Sequence, residues 1–219
     1  MLETRKYSKT ELSELLGTRS KQGIDNKLTT YGVKFSSCGR GNNRVYNIEE
    51  ISDPFKVYCI LKIGIPAQQN FDNIRILYYQ LLNNEEFLKL PLTVKEEYMD
   101  SLNHHISRQS ISKCIEYLEK AEYIHSDNSD CTYFSITKDR NGKRAAKEIS
   151  KEMYLEGWKK YWNSKTYGDS DYAYFNMYSY VGGHPCKVPK TIQNGIYGDE
   201  IAKLTELVNQ AYLNRTFNE

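Results

Sequence analysis

Ser8-Lys9-Thr10-Glu11-Leu12-Ser13-Glu14-Leu15-Leu16-Gly17-Thr18-Arg19-Ser20-Lys21-Gln22-Gly23-Ile24-Asp25-Asn26-Lys27-Leu28-Thr29-Thr30-Tyr31-Gly32 reads as two short helices joined by a tight turn. Ser8 and Glu11 have the spacing of a capping box, in which the serine hydroxyl accepts from a helix-end N–H and the glutamate reaches back. Leu12, Leu15 and Leu16 share one face of the first helix, and Gly17-Thr18 breaks it. Ser20 is placed to cap a second helix to about Tyr31, with Ile24, Leu28 and Tyr31 turned inward at spacings of four and three. Gly32 stands where a left-handed terminator is expected. Beyond it, Val33-Lys34-Phe35 and Val45-Tyr46-Asn47-Ile48 read as strands around a loop rich in Gly, Ser and Asn over 36–43.

The order helix, tight turn, helix, hairpin over residues 8–48 resembles a winged-helix, or helix-turn-helix, DNA-binding module. The resemblance implies that the second helix is the reading helix and that Cys38-Gly39-Arg40-Gly41-Asn42-Asn43-Arg44 is the wing. With Ile24, Leu28 and Tyr31 inward, Arg19, Lys21, Gln22, Asp25, Asn26 and Thr29 fall largely on the outer face. Gln and Asn pair with adenine edges, and Arg and Lys with guanine or phosphate. Glycines let the wing backbone approach a groove, where Arg40 and Arg44 meet phosphate or a narrow minor groove. The expected DNA contacts of this module are Arg19, Lys21, Gln22, Asn26, Thr29, Arg40, Asn42 and Arg44. The competing expectation is a small helix–hairpin module that docks protein.

A second segment, 53–150, opens at Asp53-Pro54. Ile74, Leu77, Tyr78, Leu81 and Leu82 recur at helical spacing, Pro91 interrupts, and Thr93 to about Leu102 reads as a further helix. Ser107 then caps a helix whose inward stripe is Ile111, Cys114, Ile115 and Leu118, and Thr132–Thr137 follows as a strand. Ser107-Arg108 with Ile111, Ile115, Leu118 and Glu119 is similar to the third helix of bacterial winged-helix regulators. The resemblance implies DNA contacts from Arg108, Gln109, Ser112 and Lys113. Glu122 stands where such proteins place glycine. The expected wing, His125-Ser126-Asp127-Asn128-Ser129-Asp130, holds two aspartates and no cation, so it would be repelled by phosphate. Lys138, Arg140, Lys143 and Arg144 are the basic residues positioned to take over from a neighbouring loop. The competing expectation is a structural copy that positions the first module. The two segments differ in length and loops and are not a strict repeat. Two reading helices on one chain would cover neighbouring stretches of groove, and a dimer would favour an inverted repeat.

The third segment, 151–219, holds nine of the 19 tyrosines and both tryptophans. Leu155, Trp158 and Trp162 are spaced by three and four, with Tyr154 and Tyr161 as an overlapping set and Lys159 and Lys160 between. Aromatics interleaved with lysine stack single-stranded bases in some proteins, but such a stripe more often packs. Tyr172, Tyr174, Tyr178 and Tyr180 fall mostly on alternate positions and predict an extended strand. Asp199 is placed to cap a final helix through about Tyr212. Its stripe of Ile201, Leu204, Leu207, Val208 and Ala211 is a candidate homodimer element or folds back on its own domain.

Composition bounds the remaining classes. The chain has 219 residues, 39% hydrophobic and 26% charged, which suits a globular protein. The net charge is only +2. Residues 1–50 carry nine basic against six acidic side chains, residues 51–100 five against seven, and 101–150 eight against seven. Nucleic acid would therefore be met by local faces, chiefly the N-terminal one. No apolar run reaches the ~18–20 residues of a membrane helix, and Met1–Lys6 lack the apolar stretch of a secretory signal. Five scattered cysteines point to reduced thiols in a cytoplasm. No catalytic set emerges, no cofactor is implied, and Asp169/Asp171 and His184/Cys186 are the weak leads for a metal and a thiol site. The expected architecture is α+β, mainly α with small β-hairpins. It comprises a winged-helix module at 1–52, a second such module at 53–150 and an aromatic-rich α+β region at 151–219. The expected function is sequence-specific binding of double-stranded DNA by a regulator of bacterial, phage or mobile-element type. The alternatives are a phage-borne inhibitor of a host protein and a plasmid or phage replication initiator.

Overall fold

The computed structural model describes residues 1–167 and 169–216, so Gly168 and 217–219 of the third segment lie outside the described residues. The architecture is α+β, with ten α-helices and two three-stranded antiparallel sheets among the described residues. In chain order these are β1 Lys6–Ser8, α1 Lys9–Leu16, α2 Lys21–Thr30, β2 Val33–Cys38, β3 Val45–Ile51, α3 Pro54–Tyr58, α4 Phe71–Asn83, α5 Glu85–Lys89, α6 Leu92–Ser101 and α7 Arg108–Lys120. They continue with β4 Ile124–Lys138, β5 Arg144–Ile149, α8 Lys151–Tyr167, α9 Ser170–Val181, β6 His184–Gln193 and α10 Gly198–Thr216. No helix among the described residues is long and apolar enough to cross a membrane.

The chain forms two compact units. The first comprises Met1–Tyr79, Tyr117–Ala121 and the stretch from Tyr197. Its sheet has the order β1-β3-β2, with Tyr7 opposite Tyr46 and Phe35 opposite Ile48. The capping box forms: the Ser8 hydroxyl accepts from the Glu11 N–H at 3.2 Å, and Glu11 accepts from the Ser8 N–H at 2.7 Å. Gly17 ends α1 in the left-handed conformation, and Gly32 follows α2 with φ 76°. Leu12, Leu16, Ile24, Leu28, Tyr46 and Ile48 are buried together, so the helix pair sits on one face of the small sheet. Asp53 caps α3 by accepting from the Lys56 N–H, and the buried Arg75 guanidinium reaches Asp53 at 2.6 Å and Asp72 at 2.8 Å. The stripe Ile201, Leu204, Leu207 and Val208 of α10 is buried in this unit, where the Tyr58 hydroxyl donates to the Glu200 carbonyl at 2.9 Å. The last helix therefore folds back on α3, and its apolar stripe is not open to a second copy.

The second unit comprises Gln80–Glu116 and Glu122–Ile196. Its sheet has the order β5-β4-β6, with Phe134 of β4 opposite Glu148 and Cys186. Residues 125–130, expected as a wing, instead lie within β4: 125–127 pair with β6, Asp127 opposite Lys190, and 128–130 bulge out before pairing resumes at Cys131. The partner strand is some sixty residues away in sequence (Lys190 meets Asp130 at 2.8 Å), which a local reading does not reveal. The hairpin turn falls at 139–143. The expected strand over 172–180 is helix α9. Alternate tyrosines suggested period two, but Ala173, Met177 and Val181 at spacings of four form its buried face. Asp169 caps that helix, accepting from the Asp171 N–H at 3.4 Å, so these carboxylates are not a strand-borne pair. No cluster of three or more metal-ligating side chains exists among the described residues. Helices α8 and α9 pack so closely that a Cβ on Gly157 would lie 2.4 Å from Val181 Cγ2.

Candidate nucleic-acid interface

The start of α2 is built by Ser20, whose hydroxyl accepts from the Gly23 N–H at 2.9 Å. A Cβ at position 23 would lie 2.3 Å from Thr18 Oγ1 and 2.8 Å from Ser20 Oγ, so glycine lets the turn close over the helix end. Lys27 donates to the Leu16 carbonyl at 2.5 Å and ties α2 to the end of α1. Ile24 and Leu28 are fully buried, which turns Lys21, Gln22, Asn26 and Thr29 to solvent. Lys21 is paired to Asp25 at 3.4 Å, and the Thr29 hydroxyl donates to the Asp25 carbonyl at 2.9 Å. Gln22 and Asn26, one turn apart on an exposed face, are the side chains able to read base edges.

Beneath this face, Asp25 Oδ1 and the Tyr46 hydroxyl are buried close to one another. Burial first, and then the adjacent Asp25 carboxylate, raise the Tyr46 phenol above its usual pKa. Arg19 in the turn and Arg40 and Asn42 in the β2–β3 loop are exposed. Arg44 is half-buried: its guanidinium donates to the Ser37 hydroxyl at 3.0 Å, and its carbonyl accepts from the Lys9 N–H at 3.0 Å. That residue braces the loop on α1. An open depression of about 590 Å³ brings Arg19 and Asn42 together with Lys9, Ser13 and Glu14.

Helix α7 begins in the same way. The Ser107 hydroxyl accepts from the Ser110 N–H at 3.3 Å, and Ile111 is fully buried. Arg108, Gln109, Ser112 and Lys113 are all exposed. On the inner side, burial drives the Cys114 thiol up to about 12, which makes it inert. One feature has no counterpart in α2: the Arg108 N–H donates to Glu96 Oε1 at 3.0 Å, so a carboxylate of α6 already sits at this helix start. The β4–β5 turn is shaped by Asp139, which accepts from the N–H groups of Asn141 and Lys143, both at 2.8 Å. It exposes Lys138, Arg140 and Lys143, whereas Arg144 is held by Glu97 at 3.5 Å. Asp127 is held by Ser129, whose hydroxyl and N–H lower its pKa, and Asp130 by Lys190.

The two helix starts share a short local repeat that whole-segment comparison does not show. Ser20-Lys21-Gln22-Gly23-Ile24 and Ser107-Arg108-Gln109-Ser110-Ile111 match as serine, cation, glutamine, small residue, isoleucine. In each, the serine caps, the cation and glutamine face solvent, and the isoleucine is buried. The pattern is legible in the sequence once the two helix starts are aligned on their serines. The expected thiol site does not form: His184 lies 3.3 Å from the Tyr174 hydroxyl, and burial raises the Cys186 thiol. Comparison with known proteins gives no match to a family model, a curated protein or a solved structure.

Proposed function

We propose that this protein binds double-stranded DNA sequence-specifically and acts as a transcriptional regulator, using two winged-helix-like copies: α1–α2 with β2–β3, and α6–α7 with β4–β5. The observation that carries the reading is the shared helix start, which presents a cation and a glutamine to solvent from a capped, isoleucine-anchored helix in both copies. Each copy then continues into a hairpin whose turn exposes arginine, Arg40 in one and Arg140 in the other. In this reading Arg19, Arg40, Arg108 and Lys113 neutralise phosphates while Gln22 and Asn26 read base edges. Binding, not bond chemistry, is the mechanism.

The test is selection from random duplexes followed by gel shift. The expected result is an enriched duplex whose affinity falls steeply with salt. Gln22→Ala or Asn26→Ala should change which duplex is enriched, at a cost of about 1–3 kcal/mol at the altered position. No enrichment at low salt by folded protein overturns the reading. The Glu96 carboxylate at the α7 start favours a second role for that copy, docking protein, which a stoichiometric partner resistant to nuclease would reveal. Enrichment of clustered short direct repeats with local melting would point to an initiator.

A further inference from the structure

We infer that the α8–α9 hairpin is a self-association surface whose occupant is the same hairpin of a second copy of this chain. Tyr154 of α8 contacts Tyr133 of β4 with ring centroids 4.9 Å apart, and Tyr174 of α9 lies 6.0 Å from the His184 ring of β6. Both rings thus lie on the side of the hairpin that faces the sheet. Helical spacing carries that side onward through Trp158, Trp162 and Lys165 on α8 and through Asp171 on α9. There it is uncovered: Trp162 is 57% exposed and Phe175, at its edge, 64%. The rings from Tyr154 through Trp158 and Tyr161 to Trp162 touch in sequence at 6.4, 5.7 and 5.1 Å. They form a stiff apolar ridge with little side-chain entropy left to lose. The indole N–H of Trp158 is buried without a partner.

Charge selects the occupant. Helix α8 carries Lys151, Lys159, Lys160 and Lys165 against Glu152 and Glu156, with Lys159 held by Glu156 at 3.6 Å, whereas α9 has no Lys or Arg and opens with Asp169 and Asp171. Lys165 and Asp171 have no ion-pair partner among the described residues; Lys165 lies over the Tyr161 and Trp162 rings at 5.6 and 5.2 Å. A two-fold axis through this face sets α8 of one copy on α9 of the other. It pairs Lys165 with the partner's Asp171 twice, the self-complementarity that an isologous contact requires. Aromatic side chains present roughly 150–250 Å² each, so the exposed parts of Trp162 and Phe175 supply on the order of 250 Å² of apolar surface per copy. That is about a third of the ~800 Å² each partner contributes to a standard interface, which makes the contact weak and dependent on concentration. Nucleic acid fits less well, because the aspartates of α9 would face phosphate.

The contact does not depend on the DNA reading, and its test is separate. Sedimentation equilibrium of the full chain should give twice the mass of 25.6 kDa at high concentration, dissociating on dilution. Lys165→Asp alone and Asp171→Lys alone should each weaken the dimer by about tenfold or more, and the two together should restore it. Both positions are exposed, so circular dichroism should be unchanged. Arg40→Ala should leave the mass unaltered. A monomer at every concentration, or single reversals without effect, overturns the inference. So does a monomer whose tryptophan fluorescence is quenched by single-stranded oligonucleotide, which would assign the ridge to nucleic acid.

Discussion

Around the same five-residue helix start, the two helix–turn–helix–hairpin regions place opposite charges. In residues 8–51 the start of α2 is flanked by Arg19, and the loop bearing Arg40 and Asn42 is braced on α1 through Arg44. In residues 92–149 the start of α7 is occupied by Glu96, and Glu97 neutralises Arg144, while the free cations gather at the far hairpin turn. A helix N-terminus attracts anions through its N–H groups and dipole. In the second region a carboxylate of the protein has already satisfied that attraction. The difference teaches that what a helix start can bind is set by which non-local charges the fold leaves beside it, as much as by its own face.

The largest expected effect concerns the lysine clasps that hold helix ends in each region. Lys27 donates to one carbonyl, whereas Lys95 is buried and donates to the Leu88 and Leu90 carbonyls at 2.8 and 2.5 Å. Burial lowers Lys95 to about 8 from 10.5. Below pH 8 both native and unfolded chains hold this proton, and the buried charge costs stability. Between pH 8 and 10.5 the unfolded chain binds more protons than the native one, so stability rises with pH. The rise is on the order of 3 kcal/mol. Urea denaturation across this range should show the rise in the native chain relative to Lys95→Met, which cancels the opposing contribution of the buried phenols Tyr31 and Tyr46.

Next in size, Arg19→Ala with Arg40→Ala should weaken binding to all duplexes by about tenfold or more, read by titration at fixed salt. Arg108→Ala with Lys113→Ala should cost only about two- to threefold while Glu96 stays in place. Glu96→Gln should raise affinity and make the second pair as sensitive as the first. Equal losses from both pairs in the native background would break the comparison.

The smallest effect concerns how α2 and α7 end. Gly32 after α2 and Glu122 after α7 both have positive φ, 76° and 59°. A side chain there is strained by roughly 1–2 kcal/mol, offset in part by glycine's extra freedom when unfolded. Glu122→Gly should therefore stabilise the chain by about 0.5–1 kcal/mol, and Gly32→Ala should destabilise it by a similar amount, both read as shifts in the urea midpoint.

Much of the first region was legible. Ser8, Glu11, Gly17, Ser20 and Gly32 act within four residues of themselves, and such signals survive in sequence. The exposure of Gln22, Asn26, Arg108 and Lys113 followed from the burial of Ile24, Leu28 and Ile111 at helical spacing. Local pattern misleads where a distant partner decides the outcome. The acidic stretch 125–130 lies in a strand because β6 pairs with it on either side of a bulge at 128–130, and the tyrosines at 172–180 are helical because Gly157 admits Val181 and Met177.

By itself, then, the sequence determined the helix starts, the helix ends and the faces that must be buried, because these depend on contacts within a turn or two of the chain. Only the tertiary structure decided which charges remain free to meet a partner. Glu96 reaches Arg108, Glu97 reaches Arg144 and Lys190 reaches Asp130 across stretches of chain whose closure no local pattern encodes.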